Sequence, residues 1–147
     1  MAYTASPLHG GSGGTEFRDT PSRLKHLTSI TVHVGSSYVN GLQCTWLLDD
    51  GEGSLDFGEL HGTTGDAHNV SLGPGEYIIK VYGRCGTYVD QLAFATNQGH
   101  VFGPFGGNGG EPFHIDLPGH AHVAAFAGRS GSHLDAISVL YRESVLA

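Results

Sequence analysis

An internal repeat constrains this chain more than any other feature of its sequence. The segments YGRCGTYVDQLAF (82–94) and AGRSGSHLDAISV (127–139) align without a gap in the frame Gly-Arg-x-Gly-x-x-x-Asp. The aspartates of the two frames, Asp90 and Asp135, lie 45 positions apart. A weaker copy, HVGSSYVNGLQCTW (33–46), has Asn40 in place of the aspartate. Self-similarity at a period of this size indicates that one small structural unit is built three times.

A glycine-rich loop recurs together with this frame. It reads GGSGG at 10–14 and GGNGG at 106–110, and in both copies a phenylalanine follows three positions after the last glycine. HGTTG at 61–65 fits the same place in the weaker copy. We therefore expect the first glycine loop to pair with the last Gly-x-x-x-Asp loop, as if a ring of repeats were cut open between them.

The segments between these loops predict β-strands. Short runs rich in β-branched and aromatic residues are bounded by turn residues, and no segment has a sustained helical period with caps. We expect an all-β chain forming a single domain over residues 1–147, with residues 1–8 as a short amino-terminal arm. The predicted strands are 29–34, 42–48, 77–82, 92–96, 122–127 and 136–141.

Charge and composition exclude several classes of partner. The 24 glycines are interleaved with apolar residues, and 39% of the chain is hydrophobic against 14% charged, which favours a compact fold over disorder. The net charge is −7 and only two residues are lysines, so no basic cluster is available to neutralise the phosphates of a nucleic acid. No stretch approaches the ~20 apolar residues of a membrane helix, and we expect no membrane insertion.

The chain ends and the cysteines give two further expectations. Residues 1–14 lack the basic end and apolar run of a signal peptide, which predicts a cytoplasmic protein or one released without a visible signal. Cys44 and Cys85 have no metal-ligand spacing, so we expect two reduced, packed thiols, with one disulfide as the alternative. No cofactor is expected.

The Gly-x-x-x-Asp loop has the chemistry to hold neighbouring hydroxyl groups. Glycine permits a tight turn in which successive backbone N–H groups point into one small concavity. An ionised aspartate beside them accepts hydrogen bonds only, so together they complement hydroxyls that both donate and accept. The same pattern also suits a plain hairpin turn, and repetition of a fold repeats its turns. The residues alone leave both interpretations open.

Nearly the whole chain resembles the jacalin-related lectins. The resemblance rests on GGSGGTEF near the start, on the long segment from YGRCGTYVDQLAF to GGNGG, and on AGRSGSHLDAISVLY near the end. It implies a β-prism of three four-stranded Greek-key sheets related by a pseudo-three-fold axis. It also implies a metal-independent, non-catalytic carbohydrate site between the first glycine loop and the last aspartate loop.

Carried over by position, the resemblance implies that Asp135 accepts hydrogen bonds from the sugar, while the N–H groups of Gly14, His133 and Leu134 face it. Asp90 with Gly110 completes the same pattern, so a second site is expected. At the third position the amide of Asn40 can still accept a hydrogen bond, but it carries no charge to strengthen that bond. The third site is therefore expected to be weaker. The full set of residues predicted to bind carbohydrate is Gly14, Gly131, Ser132, His133, Leu134 and Asp135, then Gly110, Gly86, Thr87, Tyr88, Val89 and Asp90, then Gly65, Tyr38, Val39 and Asn40.

Galactose-preferring members of the family resemble products of a cleavage that frees an amino terminus at the glycine loop. Here residues 1–9 precede Gly10 without an obvious processing site, so the resemblance favours the uncut, mannose- or glucose-preferring branch. The expected partners are mannose-type glycans on glycoproteins or cell-surface polysaccharides, bound by a multivalent homodimer or higher oligomer. A galactose-preferring lectin and a non-catalytic prism that binds other partners are the alternatives. His114, His120 and His122 lack accompanying acids at zinc-site spacing, so we expect no metal.

Overall fold

The protein is described by a computed structural model that covers residues 3–22, 25–49 and 51–143. Within these ranges every regular element is a β-strand, and no helix is long and apolar enough to cross a membrane. The strands are β1 (Thr4–Ala5), β2 (His9–Gly10), β3 (Thr15–Arg18), β4 (Lys25–Val34), β5 (Val39–Leu48), β6 (Leu55–Phe57), β7 (His61–Gly62), β8 (Asp66–Ser71), β9 (Ile78–Cys85), β10 (Val89–Thr96), β11 (Val101–Gly106), β12 (Glu111–Asp116), β13 (Ala121–Ser130) and β14 (Leu134–Glu143).

The strands form three sheets with the same Greek-key order. One sheet runs β6-β5-β4-β8, the second β11-β10-β9-β12, and the third β1-β14-β13-β3. The two-residue strands β7 and β2 add to β5 and β14. Each sheet therefore has a long central hairpin and a fourth strand that returns beside its first, which confirms the predicted prism of three repeats.

The third sheet is assembled from both ends of the chain. β3, which follows the first glycine loop, pairs antiparallel with β13, and β1 and β2 pair with β14. This is the closure that the cut-ring argument predicts. The amino-terminal arm accordingly lies along β14, where Ser138 Oγ donates a hydrogen bond of 2.7 Å to the Ser6 carbonyl.

The core lies on the axis between the inner faces of the three sheets. β12 has the period-two burial of a strand with one wet face, since Phe113 and Ile115 are buried while the residues between and beside them are exposed. Phe94 and Phe126 meet edge to face from different sheets at 6.2 Å between ring centroids. Trp46 is 4% exposed and its Nε1 donates to the Ala124 carbonyl at 2.8 Å, so this side chain is packed in the core.

All six predicted strands are present, and most extend beyond the predicted limits because the loops that bound them are shorter than the runs of turn residues suggest. The edge strands β6, β8, β11 and β12 and the strands β1, β2, β3 and β7 were not predicted. Among the edge strands, β8 is mostly polar and β11 and β12 contain proline, and much of each faces solvent, while β6 has only three residues.

Candidate functional site

Asp135 lies beneath the first glycine loop at one end of the prism. It follows the turn 131–133 between β13 and β14, and only 5% of the residue is exposed. A Cβ placed on Gly13 would come within 2.7 Å of Asp135 Oδ2, and one on Gly14 within 2.7 Å of Oδ1. The backbone of the glycine loop can therefore approach the carboxylate only because these two positions carry no side chain.

Asp90 has the same surroundings in the second repeat. A Cβ on Gly109 would lie 2.6 Å from Asp90 Oδ2, and one on Gly110 would lie 2.7 Å from Oδ1. Gly14 and Gly110 share a left-handed backbone, with φ of 69° and 68°. The structure thus brings together both predicted pairs, Gly14 with Asp135 and Gly110 with Asp90, in nearly identical geometry.

Backbone donors surround each carboxylate. The N–H groups of Gly14, Ser132 and His133 donate no hydrogen bond to any described residue. They lie on the two loops that meet at Asp135. Their counterparts at Asp90 are the N–H groups of Gly110, Thr87 and Tyr88. An acceptor-only carboxylate flanked by such donors is complementary to adjacent hydroxyl groups.

Other predicted residues have a structural part in these loops. The N–H of Gly131 donates to the His133 carbonyl at 2.9 Å, and the N–H of Gly86 donates to the Tyr88 carbonyl at 2.9 Å. These two groups close the turns and are therefore not available to a ligand. Leu134 and Val89 are fully buried, so their side chains anchor the loops in the core.

Two arginines hold the glycine loops in place. Arg129 donates from Nε to the Gly13 carbonyl at 2.9 Å and from Nη2 to the Gly14 carbonyl at 3.0 Å. Arg84 forms the matching pair to Gly109 and Gly110, at 3.0 and 2.8 Å. Sequence reasoning placed both arginines in the repeated frame but gave them no role. Their recurrence in both copies of the frame, each accompanied by a loop with four glycines, was the available signal.

Burial and a neighbouring charge shift the pKa of the Asp90 carboxyl group in opposite directions. Burial raises the pKa of Asp90 above its usual value, and the nearby Arg84 guanidinium lowers it, together with a hydrogen bond from the aspartate's own N–H. The arginine therefore both fixes the glycine loop and offsets part of the cost of burying the charge.

The third copy differs in both loops. Its turn between strands has four residues, 35–38, where the other two turns have three, and its glycine loop between strands has three residues, 63–65, where the other two have four. His33 occupies the place of the arginines, and its Nδ1 accepts a hydrogen bond of 3.2 Å from the Gly65 N–H. The donor that stays available at Gly14 and Gly110 is therefore already bonded at Gly65.

Asn40 is also bonded within the protein. Its Nδ2 donates to the Thr64 carbonyl at 3.4 Å, and its Oδ1 lies 3.0 Å from His133 Nδ1, which must carry the proton in this contact. Charge assistance is missing here, as the sequence indicates. In addition, the acceptor and the nearby glycine donor both have internal partners, which the sequence did not indicate.

The three turns meet at the pseudo-three-fold axis. Tyr38, Tyr88 and His133 occupy matching positions, and their ring centroids lie 4.7 to 5.0 Å apart. The predicted residues of all three copies are thus gathered at one end of the molecule, around a small aromatic cluster.

The two cysteines and His114, His120 and His122 lie outside the aspartate turns and the glycine loops. Cys44 is a buried free thiol whose pKa burial raises well above its usual value, and Cys85 is a half-buried free thiol. His120 lies in the turn before β13 and His122 lies within that strand, so the two do not share a strand face. Within residues 3–22, 25–49 and 51–143, no three His, Cys, Asp or Glu residues are grouped so that they could hold a metal ion.

Solved structures with the same architecture cover the whole described fold. Malaysian banana lectin superimposes with a TM-score of 0.82 at 28% identity, over 97% of this chain and 100% of its own. A mannose-binding jacalin-related lectin from Ananas comosus gives a TM-score of 0.82 at 27% identity, over 97% of this chain and 99% of its own.

Sequence relatives from different organisms match most of this chain. Zymogen granule membrane protein 16 of Rattus norvegicus is 35% identical over 89% of this chain and 75% of its own length. Griffithsin of Griffithsia sp. (strain Q66D336) is 33% identical over 91% of this chain and 93% of its own length. The jacalin-like lectin domain family matches residues 6–140, so this chain belongs to the jacalin-like lectins, a family of carbohydrate-binding, non-catalytic domains.

Proposed function

We propose that this lectin binds glycans ending in mannose or glucose through two equivalent sites per chain, one at Asp135 with Gly14 and one at Asp90 with Gly110. The observation that carries the proposal is the repeated placement of a buried carboxylate against a glycine loop held by an arginine. The carboxylate accepts from two neighbouring hydroxyls of the sugar, and the free backbone N–H groups donate to the same or adjacent oxygens.

The preference for mannose-type sugars rests on the relatives. The structural neighbours from Ananas comosus and champedak are described as mannose-binding, and they share the fold over nearly the full length of this chain. A site of backbone donors and one carboxylate uses no metal. The binding should therefore persist after chelation.

Each site is expected to bind a monosaccharide weakly. Hydrogen bonds exposed at a surface replace bonds to water and contribute only about 0.5–1.5 kcal/mol each, or about 1.5–3 kcal/mol when one partner is charged. Useful affinity for a glycan surface then comes from several sites acting together, since linked sites raise avidity by about 10²–10⁴. Homo-oligomerisation would multiply the sites further, and light scattering of the purified protein measures it.

A glycan array that carries mannosides, glucosides, galactosides and sulfated glycans tests the proposal. We expect binding to mannose- and glucose-terminated glycans, with the same signal in EDTA as in buffer. Preferential binding of galactosides would assign the chain to the other branch of the family. Binding of sulfated glycans alone, or of none, would contradict the proposed site chemistry.

A further inference from the structure

The glycine loop of each repeat contacts the turn before Asp90, Asp135 or Asn40 in a neighbouring repeat, and the three contacts close a ring. A Cβ on Gly11 would lie 2.0 Å from the Thr87 carbonyl oxygen, and one on Gly107 would lie 2.3 Å from the Ser37 carbonyl oxygen. Backbone meets backbone at these two joints. The loops that would contact sugar are therefore not independent of one another.

The third joint of the ring has a side-chain hydrogen bond instead. Thr63 stands where the other loops have Gly11 and Gly107, and its Oγ1 donates to the Ser132 carbonyl at 2.7 Å. Ser132 lies in the turn that leads to Asp135. The repeat without an aspartate thus grips the turn of the repeat that has one.

A second bond joins the same two repeats. Asn40 Oδ1 accepts from His133 Nδ1 at 3.0 Å, and His133 is the residue next to Ser132 in that turn. Asn40 is itself fixed by its bond to the Thr64 carbonyl. Two successive residues of the Asp135 turn are therefore held by side chains of the third repeat.

We propose that the third repeat, which comprises β4 to β8 and carries Asn40 in place of the aspartate, is a brace for the Asp135 site. Thr63 and Asn40 are its positioning residues. The inference deepens the proposed function and rests on it, because Ser132 and His133 supply backbone donors to that site. The bond that occupies the third site's own acceptor, Asn40 Oδ1, is itself one of the two bonds of the brace. The Asp90 turn receives no equivalent side-chain hydrogen bond from a neighbouring repeat among the described residues.

The expected benefit is preorganisation. A turn whose donors are already aimed at the ligand loses less conformational freedom on binding than a loose one. Removing the brace should therefore weaken the Asp135 site and leave the Asp90 site unchanged. A general structural role would weaken both sites together.

The affinity test measures each site alone. Thr63→Val and Asn40→Ala are made in an Asp90→Ala background, which leaves the Asp135 site, and in an Asp135→Ala background, which leaves the Asp90 site. Calorimetric titration with methyl α-mannoside should show a three- to ten-fold loss at the Asp135 site for each variant and no change at the Asp90 site. Thr63→Ser, which keeps the hydroxyl, should restore the affinity.

A matched control and a sugar-free measurement complete the test. Ser36→Ala removes an exposed hydroxyl of the third repeat that bonds to no described residue, and it should change neither site. Backbone ¹⁵N order parameters measured without sugar should fall for residues 132–134 in Thr63→Val and stay constant for residues 87–89.

The outcomes separate the brace from the proposed function. Unchanged affinity at the Asp135 site, an equal loss at both sites, or unchanged order parameters would overturn the brace. If the Asp90→Ala protein binds no mannoside while the order parameters fall as expected, the brace stands as a structural feature and the proposed sugar site at Asp135 fails.

Discussion

Arg129 donates two hydrogen bonds to the loop that covers Asp135, from Nε to the Gly13 carbonyl at 2.9 Å and from Nη2 to the Gly14 carbonyl at 3.0 Å. Arg84 makes the same contacts in the second repeat. Because the glycine loop has almost no side chains to pack, these bonds decide where its backbone lies. The arginine is thus a part of the site that never needs to touch the ligand.

Replacing Arg129 should impair one site selectively. Arg129→Met keeps much of the aliphatic stem and removes both bonds, so the glycine loop should lose its fixed position. We expect about a three- to ten-fold weaker affinity for methyl α-mannoside at the Asp135 site, from the net value of about one hydrogen bond. Arg84→Met is the matched control, and it should affect only the Asp90 site. Equal loss at both sites in either variant would contradict this role.

The close approach of the glycine loop can be tested without backbone strain. Gly13 does not have a positive φ, so Gly13→Ala introduces only a Cβ, which would lie 2.7 Å from Asp135 Oδ2. We expect the loop or the carboxylate to shift and mannoside binding at this site to fall at least ten-fold. Gly73→Ala is the control, because its Cβ would have 3.7 Å to its nearest neighbour. Crystals of Gly13→Ala with an unmoved loop and full affinity would refute the steric argument.

The pH dependence of the second site follows from the raised pKa of Asp90, which burial causes. For a carboxyl group whose folded pKa lies above its unfolded value, the favourable contribution to folding is complete below the unfolded pKa. It is lost as the pH rises through the folded pKa. Ionised Asp90 therefore costs stability at neutral pH, and Asp90→Asn should raise the melting temperature at pH 7.

This gain should disappear in acid, where the wild-type carboxyl is protonated as well. The same carboxyl must be ionised to accept from two hydroxyls, so mannoside affinity at this site should decline as the pH falls towards the raised pKa. Melting curves and titrations between pH 3 and 8 measure both effects. A lower melting temperature for Asp90→Asn at pH 7 would show that the carboxylate stabilises the fold instead.

The buried contact between His61 and Asp19 should contribute to the stability of the fold. His61 Nε2 lies 2.7 Å from Asp19 Oδ1, and both side chains are less than a tenth exposed. His61→Ala leaves a buried carboxyl without this hydrogen-bond partner, which should lower the free energy of unfolding by about 1–3 kcal/mol. His114→Ala breaks an exposed contact with Asp116 and should cost no more than about 1 kcal/mol. Denaturant titration of both variants decides whether burial makes this difference.

The repeat in the sequence predicted three copies of one unit and the pairing of the first glycine loop with the last Gly-x-x-x-Asp loop, because the 45-residue period and the order of the loops can be read from the residues. The β-prism and the roles of Gly14 and Asp135 came from the resemblance to the jacalin-related lectins. The arginine contacts were harder to predict, since every residue has a backbone carbonyl and the sequence does not show which of them accept from a side chain. The state of the third copy was harder still. That Gly65 bonds to His33 and Asn40 to His133 depends on the lengths of two loops of the same repeat, and on how the three turns meet at the axis.

The number of mannosides bound by one chain tests the central claim most directly. Titration of the wild-type protein with methyl α-mannoside should give two sugars per chain, and Asp135→Ala and Asp90→Ala should each give one. The double variant should give none while keeping its β-sheet circular dichroism spectrum. Crystals soaked in the sugar should show it at Asp135 and Asp90 and not at Asn40. Undiminished binding by a folded double variant would contradict the assignment of both sites.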